Sequence, residues 1–276
     1  MISFPEERFR RELCTGCGTC AALCPSGAAA MDAGSPVFNG GTCIGCGHCG
    51  VFCPENAFGL EAAAEKADMA SPEGFRALAT TRRSVRKYRD KIPSDEQMNE
   101  LLSILGQTPT GRNSQGVTVR VLRGADASEG LMAPLRRLLD ILARTGVTFL
   151  LGKLTGTGDY LERVRKGEDP VFRGAPVIMF FFVPRGNITG RADGIIAATT
   201  VMYRASSMGM GTLWNGVAEK LYPLFRSWHS PSTRGMRLTA VLCAGYASIE
   251  PLQKAPEREY RVISEKGTDP GRGSSC

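Results

Sequence analysis

Eight cysteines in a repeated spacing constrain this chain more than any other feature of its sequence. Within each run, successive cysteines are separated by two, two and three residues, a proline follows, and the pattern recurs 29 residues later. The first run consists of Cys14, Cys17, Cys20 and Cys24, and the second of Cys43, Cys46, Cys49 and Cys53. The residues before Cys14 lack the apolar core of a secretory signal, so we expect a cytoplasmic protein with reduced thiols. In that setting the spacing indicates metal ligands and not disulfides.

The grouping of the cysteines favours iron–sulfur clusters over zinc. Three cysteines at two-residue intervals wrap a loop around a four-iron four-sulfur cubane, and intervening glycines let backbone amides approach the sulfurs. A pair of zinc sites would prefer two Cys-x2-Cys knuckles for each metal. In this pattern the fourth cysteine of each run ligates the other cluster. The first ligand set is therefore Cys14, Cys17, Cys20 and Cys53, and the second ligand set is Cys43, Cys46, Cys49 and Cys24. Residues 5–62 resemble the bacterial two-cluster ferredoxins.

Charge is divided unevenly along the 276 residues. Residues 1–62 contain three Arg and no Lys against six acids, a net charge of −3, and the remainder has 31 bases and 21 acids, a net charge of +10. Opposite charges favour docking of the two parts. A basic body can also indicate nucleic-acid binding, but no zinc finger, RNP motif or long basic tail accompanies it. No apolar run approaches the length of a membrane helix. We expect neither a nucleic-acid partner nor a membrane.

The remaining sequence predicts a larger domain of mixed helices and strands. Ser71 followed by Pro72 is a typical helix start, and Ser94 with Gln97 forms a capping-box pattern. Further helices are predicted at 134–142 and 195–208, and strands at 117–122, 177–183 and 238–246. Because the order shows no βαβ rhythm, the predicted class is α+β. We expect a ferredoxin-like domain at 1–62, a linker at 63–74 and the α+β domain at 75–276.

Three segments of the larger domain carry motifs: RRSVRKY from residue 82, PTGRNSQ from residue 109 and GMGTLWNG from residue 209. With RGAPV before one strand and LCAGYA in the last, they resemble the nitroreductase family over residues 72–265. That resemblance implies an α+β homodimer with one FMN in each of two pockets at the subunit interface. Gly116 stands where the family often has a proline, and Asn215 where many relatives have an acid, which leaves the substrate open.

The resemblance also implies which residues contact FMN, and their chemistry suits those roles. Guanidinium groups and a hydroxyl match a phosphate dianion, amide side chains match the pyrimidine edge of the flavin, and backbone N–H groups match flavin N5. The implied phosphate contacts are Arg82, Arg83, Ser84 and Arg86; the amide contacts are Asn113 and Gln115; and the N–H donors are Trp214, Asn215 and Gly216. Arg258 is expected to reach the phosphate from the tail, with Lys254 and Arg261 as alternatives.

The expected function is an FMN-dependent oxidoreductase. Electrons enter from reduced ferredoxin or a similar donor, pass through two 4Fe-4S clusters to FMN, and leave to a nitroaromatic, quinone or enone acceptor. Two alternatives stay open: an NAD(P)H-dependent FMN reductase with auxiliary clusters, and an electron-transfer module without an organic substrate. We assign no catalytic side chain, since the chain has only two histidines. Residues 152–169 are glycine-rich and charged, which is typical of a lid or a surface loop.

Overall fold

The computed structural model describes residues 6–61, 71–145 and 158–249, together with the single positions 147, 153 and 261. In the N-terminal part, strands β1 (Ala29–Asp32) and β2 (Ser35–Phe38) form an antiparallel hairpin. Ala33 and Gly34 make its turn with φ values of 44° and 77°. Positive φ at both central residues gives the strand-matching twist of a tight hairpin.

The cysteine repeat is also a structural repeat. Helices α1 (Thr19–Ala22) and α2 (His48–Val51) each follow a glycine, Gly18 or Gly47, and both glycines have φ 75°. Glycine adopts this left-handed conformation without a steric penalty, so each cysteine loop turns into its helix in the same way. The rings of Phe9, Phe38 and Phe58 pack together beside these loops, with centroids 5.4–5.9 Å apart.

The larger part of the chain is built on a four-stranded antiparallel sheet in the order β3-β4-β6-β5. Its strands are β3 (Thr118–Arg123), β4 (Val177–Pro184), β5 (Gly211–Trp214) and β6 (Met236–Gly245). Strand β4 is buried over all but its last residue. Because side chains alternate along a strand, Phe180 and Phe182 join the core on one face, and Met179 and Phe181 join the core on the other.

Within the described ranges, six α-helices surround this sheet: α3 (Pro72–Thr81), α4 (Asp95–Ser103), α5 (Glu129–Arg144), α6 (Gly158–Arg165), α7 (Gly190–Ser207) and α8 (Gly216–Leu221). Helix α7 covers the Phe181 face with small residues, including Ala197, Val201 and Ala205. Helix α5 covers the Phe180 face with Met132 and Leu135. A sheet with helices on both faces and purely antiparallel strands is the predicted α+β class.

Two helices begin earlier than the sequence predicts. Helix α5 starts at Glu129, so Pro134 lies inside it. The buried side chains of Leu131 and Met132 anchor the turns before the proline in the core, and this packing outweighs the hydrogen bond that proline removes. Helix α7 starts at Gly190, in a glycine-containing stretch of low helix propensity.

The helical portion of the segment at 152–169 contributes to the core. Residues 158–165 form α6, whose Val164 is fully buried and packs within the core beside α5. That portion is therefore a helix anchored in the core by Val164. None of the helices in the described ranges is both long and apolar enough to cross a membrane.

Candidate functional site

Two cavities in the N-terminal part are lined by cysteines from both runs. The first cavity is lined by the whole first ligand set, with Cys53 contributed by the second run. The second cavity is lined by the second ligand set, with Cys24 contributed by the first run. Cys49 lies in the wall between them and borders both. Each cavity thus combines the three closely spaced cysteines of one run with the fourth cysteine of the other run, and Cys49 additionally borders the first cavity.

Backbone amides point at four of the eight sulfurs in matching pairs. Gly16 N–H donates to Cys14 Sγ and Gly45 N–H to Cys43 Sγ, both at 3.4 Å. Ala29 N–H donates to Cys24 Sγ at 3.4 Å and Ala57 N–H to Cys53 Sγ at 3.3 Å. Amide donors stabilise thiolate charge and tune the reduction potential of a bound cluster. The sulfurs therefore suit iron–sulfur ligation.

The sulfurs differ in exposure between the two cavities. Cys17 is exposed, and its hydrogen bond with Thr19 lowers the pKa of the thiol. Burial raises the pKa of Cys20, and raises that of Cys49 further, to about 11. Iron binding replaces the proton of such a thiol. In the described part of the chain, no three His, Cys, Asp or Glu side chains converge closely enough for a single metal ion.

A third cavity, of about 250 Å³, lies where the RRSVRKY segment meets the glycine loop after α7. Its lining includes Arg82 and Arg83 from the first segment and Thr212 from β5. Val85 N–H donates to the Thr212 carbonyl at 2.9 Å and ties the two segments together. A Cβ at Gly211 would lie 2.3 Å from Val85 Cγ2, so only glycine permits this approach.

The polar groups around this cavity fit an anionic ligand with hydroxyls. Arg83 is held by the carbonyls of Arg82 and Thr80, at 2.7 and 3.0 Å. The Arg82 guanidinium has no hydrogen-bonding partner among the described residues. The buried Thr212 hydroxyl is also without a partner within the described ranges. A free guanidinium and an orphaned hydroxyl in one cavity match the phosphate end of a nucleotide-like cofactor. Ser84 and Arg86 flank the cavity lining without belonging to it.

The PTGRNSQ loop is held by the N-terminal turn of α7. Gly111 N–H donates to Asp193 Oδ1 at 3.0 Å. Gln115 Nε2 donates to Asn113 Oδ1 at 3.0 Å and to the Thr108 carbonyl at 3.3 Å. The structure thus brings together the two amide side chains that the sequence predicts as flavin contacts.

The end of β5 presents the predicted N–H donors unequally. Asn215 is buried: its backbone N–H donates to the Val241 carbonyl at 2.8 Å, and its side chain accepts from Ala218 N–H at 3.0 Å. Because N–H groups alternate along a strand, Trp214 N–H points to the edge opposite β6. Gly216 is exposed at the first position of α8, where helix N–H groups lack an intrahelical acceptor.

Two site residues, Thr212 and Asp193, are missing from the sequence-based set. Asp193 is 3% exposed and accepts hydrogen bonds from Gly111, Asn187 and Thr189. A lone carboxylate within a helix of small residues is the sequence signal for it. Thr212 offers no such signal, since only the fold buries its hydroxyl. The predicted tail contact Arg258, with Lys254, lies outside the described residues, and Arg261 is an isolated exposed position.

Comparison with known proteins gives two family matches. The model described as the nitroreductase family matches residues 79–246, more than half of the chain, and that of the 4Fe-4S dicluster domain matches residues 7–54. A search of curated proteins gave no match.

Among solved structures, a nitroreductase with bound FMN from Desulfitobacterium hafniense has a TM-score of 0.53 and 19% identity, covering 69% of this chain and 97% of its own. A nitroreductase with bound FMN from Bacteroides fragilis has a TM-score of 0.51 and 17% identity, with coverages of 69% and 97%. At such identities these structures show a shared fold.

Proposed function

The chain belongs to the nitroreductase family of FMN-dependent oxidoreductases and carries a 4Fe-4S ferredoxin domain, and on that premise we propose that it passes electrons from iron–sulfur clusters to FMN and on to an organic acceptor. The observation that carries the proposal is the presence, in one chain, of both sulfur-lined cavities and the cavity beside Arg82 and Thr212. Clusters accept single electrons, whereas a flavin also exchanges electron pairs. The combination therefore links a one-electron donor to a two-electron acceptor.

We assign two four-iron clusters to the N-terminal domain, one on each ligand set. The division of the sulfurs between two cavities and the paired N–H···S hydrogen bonds support this count. The proposed organisation is a ferredoxin-like domain at 1–62, a linker at 63–74 and an FMN domain at 75–276. All eight cysteines of the repeat are ligands in this assignment.

For FMN, we propose that Arg82, Ser84 and the Thr212 hydroxyl contact the phosphate end. Arg83 and Arg86 each donate to backbone carbonyls, yet a guanidinium has five N–H donors and keeps others for the phosphate. Toward the flavin ring, the proposed contacts are the side chains of Asn113 and Gln115 and the N–H groups of Trp214 and Gly216. Asn215 holds that turn in place, because its own donors are engaged. Bound there, the flavin supplies the hydride and electron chemistry.

The proposed assembly is a homodimer that acts on a small nitroaromatic, quinone or enone. Helix α7 leaves Ile195 and Ile196 36% and 39% exposed, although most of its other apolar residues are buried. Such an apolar strip fits an isologous contact with a second copy. Light scattering of the FMN-loaded protein checks this expectation, and a monomer that retains FMN contradicts it.

The decisive experiment compares electron donors on the anaerobically purified protein. We expect about eight irons and one FMN per chain. Reduced ferredoxin should reduce the bound FMN faster than NADH or NADPH does, and a Cys17→Ala, Cys46→Ala double variant should lose that advantage. Faster reduction by NADH or NADPH in both proteins would instead favour a nicotinamide-dependent reductase with auxiliary clusters. Full reduction by ferredoxin without turnover of any acceptor would favour an electron-transfer module.

A further inference from the structure

The side chain of Asn113 connects the second cysteine run to the PTGRNSQ loop. Asn113 Nδ2 donates a hydrogen bond of 3.2 Å to the Ile44 carbonyl, across 69 residues of sequence. Ile44 lies between two members of the second ligand set, Cys43 and Cys46. The loop that wraps the second cavity therefore lies directly against the loop predicted to hold the flavin ring.

The Asn113 amide is fixed in this direction by its own loop. Its Oδ1 accepts from Gln115 Nε2 at 3.0 Å, so the Nδ2 group faces Ile44. Arg112, Asn113 and Gln115 have φ values of 54°, 52° and 46°, a conformation that non-glycine residues adopt at an energetic cost. Such conformations persist where surrounding contacts dictate them, here the hydrogen bond from Gly111 N–H to the buried Asp193.

The two ligand sets differ in their exposure to solvent. Cys17 of the first set is exposed, whereas every member of the second set is at least partly buried. The described contact with the larger part of the chain is made beside the second set. The first set thus has one member open to solvent, and the second set lies beside the flavin loop.

From this asymmetry, and resting on the proposed function, we propose that Asn113 is a positioning residue that holds the second ligand set against the flavin loop. The first set is then the entry for electrons from an external one-electron donor, and the second set is their exit. Each transfer oxidises the second cluster by one electron and reduces the flavin by one. Two transfers, with two protons from solvent, complete the reduction of FMN.

The contact is tested with Asn113→Ala in the full-length holoprotein, against Gln97→Ala as a matched control. Gln97 is also an amide that bonds to backbone, in the capping box of α4, and it lines neither sulfur cavity. In Asn113→Ala we expect faster hydrogen–deuterium exchange over residues 43–49. We also expect slower cluster-to-flavin transfer after flash reduction, measured on FMN-loaded chains as the phase that is independent of protein concentration. The slowing should reach about tenfold, the factor that corresponds to about 1.4 kcal/mol. Unchanged exchange and rate, or equal effects in Gln97→Ala, would overturn the role of Asn113.

The order of the clusters is tested with Cys17→Ala and Cys46→Ala, each expected to keep about four irons. A small reductant reaches either remaining cluster directly. The concentration-independent phase should survive in Cys17→Ala and disappear in Cys46→Ala, and the reverse result overturns the order. If the unsubstituted protein itself shows no such phase, the clusters do not feed the flavin and the proposed function fails as well. The two failures are therefore distinguishable.

Discussion

Arg82 is the residue of the RRSVRKY segment best placed to bind an external anion. Its guanidinium lines the cavity beside Thr212 without an internal partner in the described part of the chain, whereas Arg83 and Arg86 donate to carbonyls. A hydrogen bond to a charged group contributes about 1.5–3 kcal/mol. Arg82→Ala should therefore weaken FMN binding about ten- to a hundredfold, measured by fluorescence titration of the flavin-depleted protein.

Arg137→Ala is the control for that substitution, because it removes the same charge from the exposed side of α5. It should leave FMN affinity unchanged, and iron content should be unchanged in both variants. Equal flavin retention by Arg82→Ala and the parent protein would mean that the phosphate lies elsewhere.

Asn215 should act on stability through three buried contacts. Its side chain caps α8 at Ala218 N–H, and its Nδ2 donates to the Val171 carbonyl at 3.0 Å and to Cys243 Sγ at 3.4 Å. Loss of an N-cap costs about 0.5–2 kcal/mol, and a buried carbonyl left without its donor costs about 1–3 kcal/mol more. Asn215→Ala should lower the free energy of unfolding by about 2–4 kcal/mol in urea titrations. A change below about 0.5 kcal/mol, the scale of a neutral surface substitution, would contradict this assignment.

At this scale, the sequence identifies residues whose chemistry is local. The proposed cysteine ligands follow from the spacing within each run, and the proposed arginine contacts follow from a short motif. Sequence patterns do not predict Thr212 and Asp193, because both side chains acquire their roles through burial. Only after β5 and α7 pack is the Thr212 hydroxyl buried without a partner in the described ranges and the Asp193 carboxylate enclosed. The contact from Asn113 to Ile44 joins residues far apart in sequence, which no local pattern reveals.

Among the elements, the junction between the RRSVRKY segment and β5 depends on one glycine. A Cβ at Gly211 would lie 2.3 Å from Val85 Cγ2 and 2.9 Å from Val85 Cβ. Overpacking of this kind costs about 1–3 kcal/mol, and here it also separates Arg82 from Thr212. Gly211→Ala should therefore lower both thermal stability and FMN affinity.

Gly106→Ala provides the comparison, because a Cβ there meets no atom within 4 Å and its φ is not positive. It should be neutral or slightly stabilising, since alanine restricts the unfolded chain. Calorimetry and flavin titration on the two variants check both expectations. If Gly211→Ala retains FMN as tightly as Gly106→Ala does, the junction does not shape the cofactor site.

The sequence predicts where a helix begins when a capping residue marks that position. It does not predict the first residue of a helix when tertiary packing determines it. The helix after Ser71 begins as predicted, with the serine accepting from Gly74 N–H at 3.0 Å, and Ser94 and Gln97 form the predicted capping box. Helix α7 begins before the predicted position because Gly190 and Gly194 let it approach Val183 and Thr239 closely. Helix propensity alone disfavours both glycines.

On the scale of the whole molecule, charge complements the contact between the two parts. The net charge of residues 1–62 is −3 against +10 for the rest. Each oxidised cubane with four thiolates is formally a dianion, so the two proposed clusters would bring the net charge of residues 1–62 to about −7. The electrostatic attraction between the two parts supports the Asn113 contact, because salt screens charges less when they lie close together. High salt should therefore loosen the docking without removing the clusters.

A truncation that begins at Ser71 separates the roles of the two parts. The sheet, both of its hydrophobic faces and the cavity beside Arg82 all lie within residues 71–249. The truncated protein should therefore fold, dimerise and bind FMN, and a small chemical reductant should still support turnover. It should lose most ferredoxin-driven reduction, because the proposed entry and exit clusters are gone. Stopped-flow reduction of FMN by reduced ferredoxin, in the intact and truncated proteins at matched flavin content, measures this loss. The intact protein at high salt is a control, because its electron transfer to FMN should be slower while its iron content stays complete. If ferredoxin reduces the truncated protein as fast as the intact one, electrons enter at the flavin directly and the clusters are not the path.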